Sequence, residues 1–233
     1  MPYRRLPNTD QARIRALKAA VGKGDVYNVS ELAITLKSLA EARNFLSKFE
    51  IAHNYYVQCY NNQVKESPRH QANVKMARLY ISHFIQVLNL SVLRSEIKSV
   101  HKKLYDLPVD NATVPDLASE AAMVDWGKRI IEGEMRRTSQ GGVPIYNPTI
   151  AKVKVHYDIF VDSYEKQRAL QALTNRSLEE LSSMRARADE LILDIWNQVE
   201  EKFQNVFPNE ARLDKCRDYG LIYYYRTGEK QSE

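Results

Sequence analysis

The sequence predicts an all-α protein, an internally duplicated helical bundle of about six main helices, short-long-long in each half, related by a pseudo-two-fold. Three observations predict it. Gly and Pro number 8 each in 233 residues, and the stretches 25–67, 69–107 and 149–207 contain neither. Strand proteins rarely run so far without a turn residue. Within those stretches apolar residues recur at three- and four-residue steps, the spacing of one helix face. Finally, Val26-Tyr27-Asn28-Val29-Ser30 is matched by Ile145-Tyr146-Asn147-Pro148-Thr149, a shared apolar-Tyr-Asn-x-Ser/Thr core at an offset of 119.

A short first helix ends near Gly22, where glycine permits a left-handed turn. Asn28 with Glu31 has capping-box spacing. The stripe Leu32, Leu36, Leu39, Ala42, Leu46, Phe49, His53, Tyr56 and Tyr60 then predicts a helix from Val29 to about Glu66. Ser67-Pro68 should end it, because the residue before proline avoids the helical region. The next stripe, Val74, Ala77, Ile81, Phe84, Leu88 and Val92, widened by Met76, Tyr80, Val87, Leu90 and Ile97, carries a helix to about Tyr105.

Residues 106–116 read as the linker between halves 1–110 and 111–233. A medium helix follows over 117–137, with Trp126, Ile130, Ile131 and Met135 inward. Asn147-Pro148 suits a helix start, Asn as cap and Pro at the first position. The stripe Ile150, Val153, Tyr157, Phe160, Val161 and Tyr164 follows it. Ser177 with Glu180 is a second capping box and opens a last long helix that ends before Pro208. A short helix over 209–219 stops at Gly220, residues 221–226 are helical or extended, and 227–233 have nothing to bury.

Composition removes several classes. Two cysteines exclude a disulfide scaffold and a Cys-rich zinc module. No apolar run approaches the ~18–20 residues that span a bilayer, so no membrane partner is expected. The start, MPYRRLPNTD, has no apolar stretch after its basic pair and is not a secretory signal. The expected location is the cytoplasm. Net charge is +5, unevenly spread: residues 1–110 hold 17 Lys/Arg against 9 Asp/Glu, residues 111–233 hold 17 against 20.

Catalytic constellations are missing from the sequence, and no cofactor is implied. There is no GxSxG, P-loop or GxGxxG, and no His pairs with another at metal-ligand spacing. Glu50 and His53 form one ExxH, half of what a di-iron bundle needs. A packed, hydrogen-bonded histidine is the simpler reading. Cys216, between Lys215 and Arg217, reads as an incidental surface thiol with a mildly depressed pKa.

Arg94, Lys98 and Lys102 sit at i, i+4 and i+8 with Lys103 adjacent, a basic strip to which Arg4 and Arg5 add charge near the N-terminus. Such strips attract phosphate backbones. Tyr223, Tyr224, Tyr225 and Arg226 form an aromatic tail suited to a protein contact.

These features favour a non-enzymatic protein of interaction or scaffolding, with a protein partner or self-association. One alternative is a nucleic-acid-associated protein using the basic first half. Another is a bundle that binds a small ligand or metal between its halves.

Overall fold

The computed structural model describes residues 2–26 and 31–226. The Asn28 cap, the Tyr27–Ser30 copy of the repeated motif and the tail 227–233 lie outside the described residues. The chain is mostly helical. Its elements are β1 (Tyr3–Arg4), α1 (Asp10–Val26), α2 (Leu36–Leu93), a 3-10 helix (Ser99–Tyr105), α3 (Glu120–Ser139), α4 (Ile150–Lys202), α5 (Asn209–Arg217) and β2 (Tyr223–Tyr224). No helix among the described residues is long and apolar enough to cross a membrane.

Each pair of long helices foreseen in the sequence is one helix. Pro68 lies inside α2 rather than ending it. Ser177 does not open a helix either, because it sits inside α4 and its hydroxyl donates to the Thr174 carbonyl at 2.8 Å. A helix tolerates that local bond. α2 stops at Leu93, not near Tyr105, with Ser95 left-handed at φ 62°. α4 is capped by Thr149, whose Oγ1 accepts from Lys152 N at 3.3 Å, and not by Asn147.

The chain forms two compact units, residues 1–60 with 174–233, and residues 61–173. In the first, Thr9 caps α1 by accepting from Ala12 N at 3.2 Å, which satisfies one of the helix's unpaired donors. Ile14, Leu17 and Ala20 then fall on one face. Thr35 caps α2 in the same way, accepting from Ser38 N at 3.2 Å. Leu39, Ala42, Leu46 and Phe49 bury the next stripe against Leu181, Ala188, Ile192, Ile195 and Val199 of α4. Two bidentate pairs clamp α1 to α4. Arg13 donates to Asp189 at 2.7 and 3.0 Å, and Arg185 donates to Asp10 at 2.9 and 2.8 Å. Such charge-assisted forks are the strong form of the hydrogen bond.

α5 ends in a Schellman turn. Leu221 N donates to Cys216 O at 3.4 Å and Gly220 N to Arg217 O at 2.8 Å, with Gly220 at φ 89°. Tyr219 and Leu221 are buried on either side of it.

In the second unit Ser119 caps α3 by accepting from Ala122 N at 3.1 Å. The core joins Ile81, Phe84 and Leu88 of α2, Met123 and Ile130 of α3, Val153 and Phe160 of α4, and Tyr105. The 3-10 helix closes with the same Schellman geometry. Leu107 N donates to Lys102 O at 3.1 Å and Asp106 N to Lys103 O at 3.2 Å, with Asp106 at φ 57°. Gly133 of α3 lets this turn approach, since a Cβ there would lie 2.5 Å from the Tyr105 ring and 2.8 Å from the Leu104 carbonyl oxygen.

The inward face of α3 differs from expectation. Met135 is 59 % exposed, whereas Glu134 and Arg137 are buried at 0 % and 3 %. Arg137 holds Glu134 through Nε and Nη2 at 3.0 and 2.8 Å, Ile145 N donates to the same carboxylate at 3.1 Å, and the Tyr105 hydroxyl donates to it as well. The two charges survive burial because every oxygen and most donors are engaged.

Burial first, and the Glu134 carboxylate second, hold the Tyr105 phenol above its ordinary value, which is about 10. Above about pH 10 the unfolded chain releases that proton while the folded chain keeps it, so stability falls as pH rises. Urea midpoints measured across pH 9–11, a range on the order of one unit either side of that value, are expected to decline. Tyr105→Phe should flatten the decline by up to about 1.4 kcal/mol per pH unit. An unchanged slope would show that the phenol titrates equally in both states.

Candidate functional site

The two chain ends meet in a short ribbon. β1 and β2 pair antiparallel, Tyr3 opposite Tyr224 and Arg4 opposite Tyr223, and Arg5 N donates to Ile222 O at 2.8 Å. Beneath the ribbon, within the first unit, lies a cavity of ≈410 Å³. Its polar wall is Arg4, Glu200, Arg212, Cys216 and Tyr223, and Tyr3 and Leu213 supply apolar surface.

The site is built by three elements. The ribbon supplies Tyr3, Arg4 and Tyr223. Glu200 comes from the last turn of α4. Arg212, Leu213 and Cys216 come from α5, at the spacing that puts residues on one helix face.

Charge in this cavity is nearly, but not wholly, balanced. Tyr223 donates its hydroxyl to Glu200 Oε1 at 2.8 Å, and Arg4 Nη1 stands 3.6 Å from Glu200 Oε2. Arg4 also donates to Asn197 Oδ1 at 2.7 Å. Arg212 has no carboxylate or hydrogen-bond acceptor for its guanidinium among the described residues, so one cation is left uncompensated. Cys216 is 1 % exposed, not a surface thiol, and burial pushes its pKa up rather than down, since a low-dielectric setting disfavours the thiolate. Burial, then the bond to Glu200, raises Tyr223 in the same direction. Both groups are therefore neutral donors near neutral pH.

Two of the residues singled out in the sequence, Arg4 and Tyr223, thus converge on one cavity although 219 positions separate them. Tyr224 packs against Tyr3 with ring centroids 5.8 Å apart and planes tilted by 36°, and the Arg226 guanidinium lies 4.4 Å from the Tyr3 ring centre, within cation–π reach. Tyr225 is half-buried and the Arg5 side chain is exposed.

The basic strip does not survive as one helix face, because α2 ends before Arg94. Arg94 stands 3.6 Å from Glu96, Lys98 is exposed, and Lys102 is 2 % exposed with its ammonium donating to Asn111 O. Burial lowers the Lys102 pKa.

Glu50 pairs with Lys18 at 2.5 Å, and His53 Nδ1 is buried without a hydrogen-bond partner among the described residues. The residue is half-buried rather than a core histidine, and this nitrogen lacks the hydrogen bond expected of it. No group of three or more potential ligands that could hold a metal ion occurs among the described residues.

The second unit holds a smaller cleft of ≈260 Å³ between α2 and α4. There His70 joins Glu120 through Nε2 at 3.0 Å and Ser163 through Nδ1 at 3.1 Å, a set the sequence spacing gave no way to find. The order resembles a hydrolase triad, but the chemistry does not follow. Ser163 Oγ donates to the Phe160 carbonyl at 2.9 Å. Being inside α4, the serine is flanked by backbone N–H groups already spent on the helix, so none is free to stabilise an oxyanion. The cluster ties α2, α3 and α4 together. Comparison of the chain with protein-family models, with curated proteins and with solved structures returns no match.

Proposed function

We propose that the chain is an internally duplicated, non-catalytic bundle that binds a small molecule in the cavity beneath its terminal ribbon. The repeats are the sequence halves 1–110 and 111–233, related by a pseudo-two-fold. What supports the duplication is local geometry in a common register of 114 residues. Thr35 and Thr149 cap α2 and α4, with Leu39 N and Val153 N donating to their carbonyls at 3.0 and 3.1 Å. Ala19 and Gly133 are the small residues packed against the closing turns, and Tyr105-Asp106-Leu107 corresponds to Tyr219-Gly220-Leu221. Both turns carry the same pair of Schellman bonds.

Each compact unit is then assembled from the same four pieces. One repeat gives its short helix and the first part of its long helix, and the other gives the last part of its long helix and its closing turn. The Tyr-Asn match at an offset of 119 is five residues out of this register, and its first copy lies outside the described residues.

The observation that carries the binding reading is what differs between the repeats. Cys216 corresponds to Lys102. In the second unit the long lysine side chain is itself buried at that place and donates to Asn111 O. In the first unit the short thiol leaves ≈410 Å³, a size that suits a small-molecule site. The wild-type chain incubated with a metabolite extract is expected to carry, in native mass spectrometry, an added mass on the order of a few hundred daltons. Cys216→Lys should lose it while keeping its helical circular dichroism. Bare wild-type protein, or equal retention by the variant, would sink the reading.

A second reading keeps the protein-contact role of the tail. Tyr3 and Tyr224 are 39 % and 41 % exposed. Their rings lie tilted against each other on the ribbon face away from Arg4 and Tyr223, beside Arg226, the aromatic and arginine composition that interfaces favour.

A further inference from the structure

Resting on the cavity reading, we infer that the occupant is an organic monoanion, its carboxylate held by Arg212 and its apolar part set against Leu213. The argument is a charge count at fixed positions. Glu200 is the one carboxylate in the wall, and it already faces the Tyr223 hydroxyl at 2.8 Å and Arg4 at 3.6 Å. Arg4 is further engaged by Asn197 at 2.7 Å. A cationic occupant would meet two guanidiniums and one occupied carboxylate. A neutral one would leave Arg212, half-buried beside the cavity, without the partner that offsets its lost hydration. A dianion would find a partner for one charge only.

Arginine suits this task because its planar fork matches a carboxylate with two parallel hydrogen bonds. The rest of the wall matches an amphipathic occupant. Leu213 offers apolar surface, and Gln204 adds hydrogen-bonding capacity. Cys216 supplies a buried, neutral thiol.

The test is calorimetric titration of the full chain with matched probes: phenylacetate, indole-3-acetate and 2-naphthoate, each against its primary amide. At least one acid is expected to bind ten-fold or more tightly than its amide. Arg212→Gln should erase that preference and Arg212→Lys retain part of it, both with unchanged circular dichroism. Acid and amide binding equally, with both lost in Cys216→Lys, would leave the cavity reading standing and overturn the charge inference. A preference that persists in Arg212→Gln would overturn it too. Failure of every probe, acid and amide alike, would overturn both.

Discussion

Glu134→Ala is expected to destabilise the second unit by about 3–5 kcal/mol, a large share of the ~5–15 kcal/mol that holds a typical domain together. The carboxylate is fully buried and accepts from Arg137, Tyr105 and Ile145 N. Truncation leaves a 3 % exposed guanidinium with only the Tyr105 hydroxyl and the Val143 carbonyl as partners, at 2.8 Å each. It also strands a backbone N–H in a place water does not reach, at a cost of ~1–3 kcal/mol.

The protein carries its own reporters for this measurement. Its two tryptophans, Trp126 and Trp196, lie one in each compact unit. Urea unfolding followed by Trp126 fluorescence in a Trp196→Phe background reads the second unit. A midpoint shift worth under about 1 kcal/mol would mean that water reaches the network and that the charges are not confined. Replacing the pair together, Glu134→Leu with Arg137→Met, should cost much less than Glu134→Ala, because no charge is left unpaired.

That network also marks the limit of what the sequence discloses. Helix content is legible, because stretches free of Gly and Pro with three- and four-residue apolar steps admit little else. The stripes Leu39, Ala42, Leu46, Phe49 and Ala77, Ile81, Phe84, Leu88 are buried as their spacing requires. The inward side of α3 is not legible at Met135, since an apolar rule ranks methionine above glutamate and arginine. A pair at i, i+3 on a helix looks the same in sequence whether it is solvated or sealed. Ser177 misleads for a related reason. A hydroxyl three residues before a glutamate can cap a helix or bond back to its own preceding turn, and only packing decides which.

The candidate site is half legible. Arg4 and Tyr223 stand out locally, as a basic pair and an aromatic run, but nothing short-range pairs residues at opposite ends of the chain. Arg212 carries no signal, since an arginine on a short polar helix is ordinary until the one carboxylate in its cavity, Glu200, proves to be engaged by Tyr223 and Arg4. Cys216 misleads because its sequence neighbours are not its spatial ones. Lys215 and Arg217 flank it in the chain, whereas burial governs its proton. The basic strip fails at Leu93, where α2 ends without the Gly or Pro that usually announces an end.

Pro68→Ala is expected to stabilise the second unit by about 1–3 kcal/mol. A proline inside a helix has no N–H to give the carbonyl four residues back, and its ring crowds the same oxygen. Here that carbonyl is Val64's. Alanine restores the bond and removes the crowding. Part of the gain is offset, because proline also restricts the unfolded chain by ~0.4–1 kcal/mol. Pro68 is exposed, so no buried contact of its own ring is lost. The local counterweight is His70, two residues on, whose ring reaches Glu120 at 3.0 Å and Ser163 at 3.1 Å. If the path of α2 set by the proline aims that ring, the substitution would weaken both bonds and the net effect would fall to zero or change sign. The same Trp126 unfolding experiment separates the two contributions when Pro68→Ala is measured alone and in a His70→Ala background. A stabilisation that appears only after His70 is removed assigns the proline to positioning that histidine. One of equal size in both backgrounds assigns it to backbone strain alone, and destabilisation in both would overturn the expectation.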